Sequence, residues 1–211
     1  MCNTPAGGGG PVAAPHAAAA GGGAAGGGPP RAPLPASHIL TVGASSLYLG
    51  PVTDLRSSSY AHVLCLLGRA DASEQFDAAC LLSEPGATLM TYHHCDLKDR
   101  ADAVESLEGE LSSCVEFIYR GWSMGGSILV HCRMGISRSA TVVAAFLMYM
   151  WLHHRDDLPQ IAAGDIKDAS TLRKSVMVFL KGKREVVHPN HGFKEALKAY
   201  AAQVWRDSAQ Q

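Results

Sequence analysis

Between residues 138 and 152 the chain is apolar on nearly every side of a helix, and a short loop earlier stands the strand-like segment Ser127–His131 (SILVH). A helix that is apolar all round has no face to give to water, so it belongs in the middle of a core. Its uncharged part, Ala140–Leu152, is 13 residues long, too short to cross a bilayer by itself. The other segments fit around this pair. His38–Val42 and Ser46–Leu49 read as short strands about a Gly43-Ala44-Ser45 turn, and Ala61–Leu67 and Ala87–Cys95 as two more. Val104, Leu107, Leu111, Val115 and Ile118 recur at helical spacing behind a D-x-x-E start (Asp102, Glu105), which predicts an amphipathic helix over 102–120. Leu172–Leu180 and His191–Trp205 are the last helices, after a polar insertion at 155–170. Strands alternating with helices predict an α/β fold: a central, mainly parallel or mixed sheet flanked by helices.

Composition divides the chain. Residues 1–36 are almost entirely Gly, Ala and Pro, with one charge, Arg31. Such a stretch cannot bury enough side chain to offset its ordering entropy, so it is expected to be a disordered tail ahead of a folded domain at 37–205. The full length of 211 residues suits one domain with an appendage. The net charge of −1 offers no field for nucleic acid or an anionic membrane surface, so neither a nucleic-acid partner nor a membrane span is expected. Six cysteines (Cys2, Cys65, Cys80, Cys95, Cys114, Cys132) contain no C-x-x-C pair, which predicts neither a zinc site nor a disulfide framework. With no secretory signal, these features predict a soluble protein of a reducing compartment, the cytoplasm first and the nucleus second. Cys65, Cys80 and Cys114 read as small buried hydrophobes. The pairs His93-His94 and His153-His154 invite a metal, but adjacent side chains diverge on a strand or a helix and the usual ligand spacings are absent, so no metal is expected.

The chemistry lies in the loop between the buried strand and the buried helix, His131-Cys132-Arg133-Met134-Gly135-Ile136-Ser137-Arg138-Ser139. A loop that leaves a strand and opens a helix gathers free N–H groups at the positive end of the helix dipole, which is an anion site made for phosphate. The backbone N–H groups of Arg133, Met134, Gly135, Ile136 and Ser137 would form the cradle, with Gly135 allowing positive φ or close approach. Arg138 adds a planar fork for two phosphate oxygens. The same dipoles and the same arginine stabilise a thiolate at Cys132, which makes it a nucleophile aimed at phosphorus.

His-Cys-x-x-Gly-x-x-Arg-Ser within ILVHCRMGISRSATVVAAFLMYM resembles the signature of the dual-specificity, cysteine-dependent protein phosphatases. Leu47-Tyr48-Leu49-Gly50 resembles their early strand, Tyr92 to Asp99 the segment that carries their general acid, and Val187-His188-Pro189-Asn190-His191-Gly192-Phe193 the stretch before their last helix. The resemblance runs from about Ser37 to Trp205. It implies a cysteine-phosphatase-like fold and hydrolysis of phosphate monoesters on phosphoproteins, on phosphotyrosine and phosphoserine/threonine alike, through a phosphocysteine and without a cofactor. It implies an atypical member, since the chain is too short for the extra kinase-docking domain of the kinase-directed members. Ser139 is then the donor to the sulfur that improves the leaving group in the second step. The acid falls seven residues after a strand tyrosine, which from Tyr92 is Asp99; Asp96, solvated just past the strand, ranks second, and Asp102, the expected helix N-cap, third. The stretch from Asp99 to Phe117-Ile118 is slightly longer than the family pattern, which implies a small insertion or a shifted loop. His131 either fixes the loop or is an ordinary core histidine, and Asn190 is expected to cap the final helix. One cation, Arg133, lies between Cys132 and Arg138, fewer than a lipid or inositol phosphatase would carry. A catalytically weak phosphoprotein-binding module and a phosphatase for a phosphoinositide or an RNA 5′ end are the alternatives.

Overall fold

The computed structural model describes residues 34–56, 60–68, 90–97, 104–161 and 166–210. Five strands form one sheet: β1 (Ser37–Val42), β2 (Ser45–Pro51), β3 (His62–Cys65), β4 (Thr91–His94) and β5 (Ser127–Cys132), in the order β1-β2-β5-β3-β4. β1 runs antiparallel to β2 at one edge, and β2, β5, β3 and β4 are mutually parallel. The mixed α/β architecture with helices flanking the sheet is the predicted one.

β5 lies at the centre of the sheet, between β2 and β3. Its apolar side chains are buried on both faces, as a parallel strand covered on two sides requires. Ile128 and Val130 join the large core with Leu47, Leu49 and Leu64, whereas Leu129 points the other way and meets Val63, Leu55 and Tyr60. That alternation is the period-two geometry of a strand. The helices are α1 (Val104–Ser123), α2 (Arg138–His153), α3 (Ala169–Lys183) and α4 (His191–Ser208). α4 packs against the other three. In α2 all but three residues, Tyr149, Leu152 and His153, are buried, which is why it reads as apolar all round. Two short 3-10 turns, Val52–Arg56 and Arg155–Asp157, are additional; the second occupies the start of the predicted insertion.

The differences from the predicted elements are small. β3 ends at Cys65, two residues before the apolar run does; the Leu66 N–H still bonds the His131 carbonyl at 2.9 Å as the chain leaves the sheet. α4 runs three residues past Trp205, to Ser208. Of the predicted tail, residues 1–33 lie outside the described residues. Its last three residues are held: the Ala36 N–H bonds the Asp54 carboxylate, and the Leu34 and Pro35 carbonyls accept from Arg184. Ala87–Leu89, the Asp102 cap and Cys80 also lie outside the described residues.

The parallel strands end together. Pro51 is paired with Cys132, and Cys65 with both His131 and His94. Loops leaving these carboxyl ends share one edge of the sheet, where α/β folds carry their sites.

Candidate active site

Cys132 is the last residue of β5 and only 2% exposed. The next five residues turn the chain into α2, whose N-cap, Ser137, makes no capping bond with its own side chain. An ordinary N-cap hydroxyl or carboxylate is worth about 1 kcal/mol to a helix. Here the Ser137 Oγ instead accepts from the Asn190 N–H at 3.1 Å, and the amides at the helix start turn to the Cys132 sulfur. The amides of Ser139 and Ile136 bond it, and the Ser139 hydroxyl donates to Sγ at 3.2 Å. Burial pushes the thiol pKa up, but the Ser139 hydroxyl and amide, the Arg138 charge and the Ile136 amide together outweigh it and hold Cys132 below its ordinary value.

Gly135 has φ of +67°, a conformation that side chains resist. Space forbids a side chain as well. A Cβ would lie 2.5 Å from the carbonyl carbon and 2.6 Å from the carbonyl oxygen of Gly50. Gly50 is squeezed in turn, since its own Cβ would lie 2.5 Å from that of Ala36. The loop therefore sits on the β2 backbone, which sits on the incoming chain, with no side chain between them.

Arg138 is buried, and its Nη1 donates to the Leu97 carbonyl at 3.3 Å. That bond ties the first residue of α2 to the segment two residues before Asp99. Asp99 and Asp102 lie outside the described residues. Asp96 is exposed just past β4. Arg133 and Met134 are exposed at the mouth of the loop, and Ile136 and Ser137 are half-buried.

Arg184, which the sequence does not single out, braces the loop from below. It is 3% exposed. Its Nε donates to the Gly135 carbonyl at 2.9 Å and its Nη2 to the Met134 carbonyl at 3.3 Å. The same guanidinium holds the Pro35 carbonyl at 2.6 Å, the Leu34 carbonyl at 3.2 Å and the Ser37 hydroxyl at 3.2 Å. With the carbonyls turned back toward Arg184, the loop amides are left for a ligand. The residues after Arg184 complete the brace: the His188 N–H bonds the Ile136 carbonyl at 3.0 Å. Asn190 caps α4 as expected, accepting from the Phe193 N–H at 2.9 Å.

His131 is fully buried, and burial pushes its imidazole down to about 4, so the ring is neutral at physiological pH. Among the described residues neither ring nitrogen has a hydrogen-bond partner of ordinary geometry, although the Cys132 backbone lies close enough to favour the charged ring slightly. The paired histidines are engaged separately. His93 stacks on Phe117, His94 Nε2 meets the Leu67 carbonyl at 2.7 Å, and His154 Nε2 meets the Tyr119 hydroxyl at 3.0 Å. Cys65 and Cys114 are buried.

Comparison with known proteins bears on the same region. Residues 70–157 match the model of the dual specificity phosphatase catalytic domain. The chain is 33% identical over 116 residues to dual specificity protein phosphatase MPK-4 of Drosophila melanogaster, covering 54% of this chain and 24% of that protein. It is 26% identical over 164 residues to dual specificity protein phosphatase 1B of Arabidopsis thaliana, covering 75% of this chain and 79% of that one. Against three of its curated relatives the chain spans only 11% to 24% of their length. Among solved structures, the human tyrosine phosphatase-like serine/threonine/tyrosine-interacting protein superposes with a TM-score of 0.54 at 25% identity, covering 74% of this chain and 91% of that one. Human DUSP28 shares the fold, with a TM-score of 0.54 at 21% identity over 86% of this chain and all of that one (100%). In sequence over residues 70–157 and in fold, the chain is similar to the dual-specificity phosphatases of the cysteine-dependent protein tyrosine phosphatase superfamily.

Proposed function

We propose that the chain hydrolyses phosphate monoesters on phosphoproteins, phosphotyrosine and phosphoserine/threonine alike, through a phosphocysteine on Cys132. One observation carries this: a buried sulfur whose pKa is held down by the Ser139 hydroxyl, two loop amides and Arg138 at the mouth of a helix. The Cys132 thiolate attacks phosphorus in line, and a new S–P bond forms as the ester P–O bond breaks. The departing oxygen takes a proton from Asp99. Water then attacks the phosphocysteine, the S–P bond breaks, the electron pair returns to sulfur, and Asp99 recovers a proton from the water. Negative charge on the equatorial oxygens meets the amides of Arg133, Met134, Gly135, Ile136 and Ser137 and the Arg138 fork, so these steps draw on no metal or cofactor. Support for Asp99 is the Arg138–Leu97 bond, which fastens the start of its segment to the loop. Asp96 is exposed, and among the described residues no such tie favours it. The thiolate needs a reducing compartment, in keeping with a cytoplasmic protein.

The test is a panel. Purified protein is assayed against phosphotyrosine and phosphothreonine peptides, phosphoinositides and an aryl phosphate. Turnover of both peptide classes is the expected result. Turnover of phosphoinositides alone would overturn the substrate class, and no turnover of any member would overturn the activity.

Ser139 has its own signature. In the second step negative charge returns to sulfur, and the hydroxyl is placed to meet it. Ser139→Ala is expected to slow dephosphorylation of the phosphoenzyme about 10²-fold, the cost of one preorganised donor. It should also move the acid limb of the pH profile. The thiolate is the reactive form and Ser139 lowers its pKa, so deleting the hydroxyl raises that pKa and shifts the rising limb of kcat/KM to higher pH. Burst kinetics across pH would check both parts, and an unmoved limb would remove Ser139 from contact with the reacting sulfur.

A further inference from the structure

α3 and α4 leave an open groove beside the loop brace, of about 270 Å³. Its apolar lining runs from the buried Leu197 to Val178, which stands 72% exposed at the edge. Its rim is basic, formed by Arg173, Lys174 and Lys181 of α3 and Lys194 of α4, and among the described residues no acidic one lines it. The positions 173, 174, 177, 178 and 181 recur at the spacing of one helical face, so the sequence of α3 turns this stripe outward as a unit.

Such concentration is not what the whole chain would give. The net charge is −1, yet α3 carries no acidic residue at all. Lys181 is in the last turn, where the helix dipole favours a cation. Arg173 and Lys174 lie in the second turn, where the dipole offers nothing. Among the described residues none of the four rim cations lies within ion-pair distance of a carboxylate. Lys174 acts on Asp168 from a distance, but the Asp168 carboxylate is taken by the Thr171 N–H at 2.7 Å. Arg173 Nε is buried without a hydrogen-bond partner among the described residues.

The groove adjoins the active site. Pro189 is part of its wall, and the residues on either side of Pro189 are the two whose backbone N–H groups bond the phosphate loop, His188 to Ile136 and Asn190 to Ser137. A ligand in the groove is thus within a few residues' reach of the loop. The volume falls below the usual range for small-molecule sites, about 300–1,000 Å³, and suits one anchoring side chain of a longer partner.

We propose that this groove docks an acidic peptide segment of the phosphoprotein substrate, with an apolar side chain on Val178 and Leu197 and carboxylates on Arg173, Lys174, Lys181 and Lys194. This rests on the phosphatase activity proposed above and adds a determinant of substrate choice outside the phosphate loop. The segment lies near the phosphorylated residue in sequence, since both sites must be occupied by one chain. Charge complementarity of this kind acts on encounter and on selection among partners.

The experiment compares two phosphotyrosine peptides that differ only in a flanking segment, Glu/Asp-rich with one Leu in the first and Gln/Asn-rich with the same Leu in the second. The full chain is expected to show kcat/KM about tenfold higher for the acidic peptide, a 1.4 kcal/mol preference, and the preference should shrink at high salt. K174E with K181E should abolish it, Val178→Asp should weaken it, and kinetics on an aryl phosphate should stay unchanged in all of them. A preference that survives K174E with K181E would overturn the proposal. So would binding to phosphatidylserine/phosphatidylcholine vesicles with no discrimination between the peptides. If nothing is turned over, the phosphatase activity fails by itself, and fluorescence anisotropy of the labelled acidic peptide on wild-type and K174E/K181E protein still decides the groove.

Discussion

Cys132→Ser is expected to lower turnover of an aryl phosphate by about 10⁴-fold or more, the scale on which losing a nucleophile is felt, while the protein stays folded and still binds phosphopeptide. The three parts have separate causes. Turnover fails because the loop lowers a pKa that starts near 9 for a thiol; a hydroxyl starts so much higher that the same hydrogen bonds and the same arginine leave it un-ionised. The fold survives because the substitution is nearly isosteric and the new hydroxyl inherits the Ser139 donor and the two loop amides, so no buried polar group is orphaned. Stability should change by no more than about 1 kcal/mol. Binding survives because the cradle is backbone and Arg138, neither of which is touched, and because the thiolate charge that repels a phosphate dianion is gone. Affinity for a phosphotyrosine peptide should therefore equal or exceed that of wild type. Calorimetry, a steady-state assay and a thermal melt read the three parts independently. Turnover within tenfold of wild type would take Cys132 out of the nucleophile's place, and a folded variant that no longer binds phosphopeptide would take the phosphate away from the loop.

The parts of this site that were legible in the sequence are those whose physics is local. Cys132, Gly135, Arg138 and Ser139 lie within eight residues, so a strand-loop-helix junction explains them together. α2 was legible because burial on every side removes polar residues from every side. Asn190 was legible because capping acts across three residues. What was not legible acts across the fold. Arg184 is 49 residues from Gly135 and 149 from Pro35. In sequence it is one more cation in the run Lys181-Gly182-Lys183-Arg184, where the bland reading is a solvated helix end. Only the folded chain distinguishes it from Lys181 and Lys183, which are exposed. Gly50 is similar. In a strand pattern it is a mild anomaly, and its purpose emerges when Gly135 and Ala36 are seen on either side of it. The link from Arg138 to Leu97 also escapes the sequence, because it uses a carbonyl and any residue has one.

Arg184→Met is expected to be the most damaging single change outside the loop itself, lowering stability by about 3–5 kcal/mol and the rate on an aryl phosphate by about 10²-fold. Met keeps most of the stem's volume, so packing is nearly held and what is lost is the guanidinium. Its removal strips hydrogen bonds from four carbonyls, those of Leu34, Pro35, Met134 and Gly135. Each costs roughly 1–3 kcal/mol if it stays buried and unmet, with water entry recovering part of the sum. For a chain of this size that is a fall in Tm of about 10 °C. The rate falls for a different reason. The Gly135 and Met134 carbonyls are free to turn toward the sulfur once nothing holds them back, and a carbonyl pointing into the cradle both blocks an amide and raises the thiol's pKa. Arg184→Lys separates charge from geometry. It restores the positive charge, but one ammonium cannot reach two loop carbonyls and two carbonyls of the incoming chain at once. It should recover less than half of the lost stability. A lysine variant indistinguishable from wild type would mean that charge alone suffices. A methionine variant with normal kcat and an unchanged Cys132 reactivity threshold would mean that the loop holds its shape without the brace. Measuring alkylation of Cys132 against pH in all three proteins distinguishes these results, because the pH midpoint follows the amides around the sulfur and is blind to stability lost elsewhere.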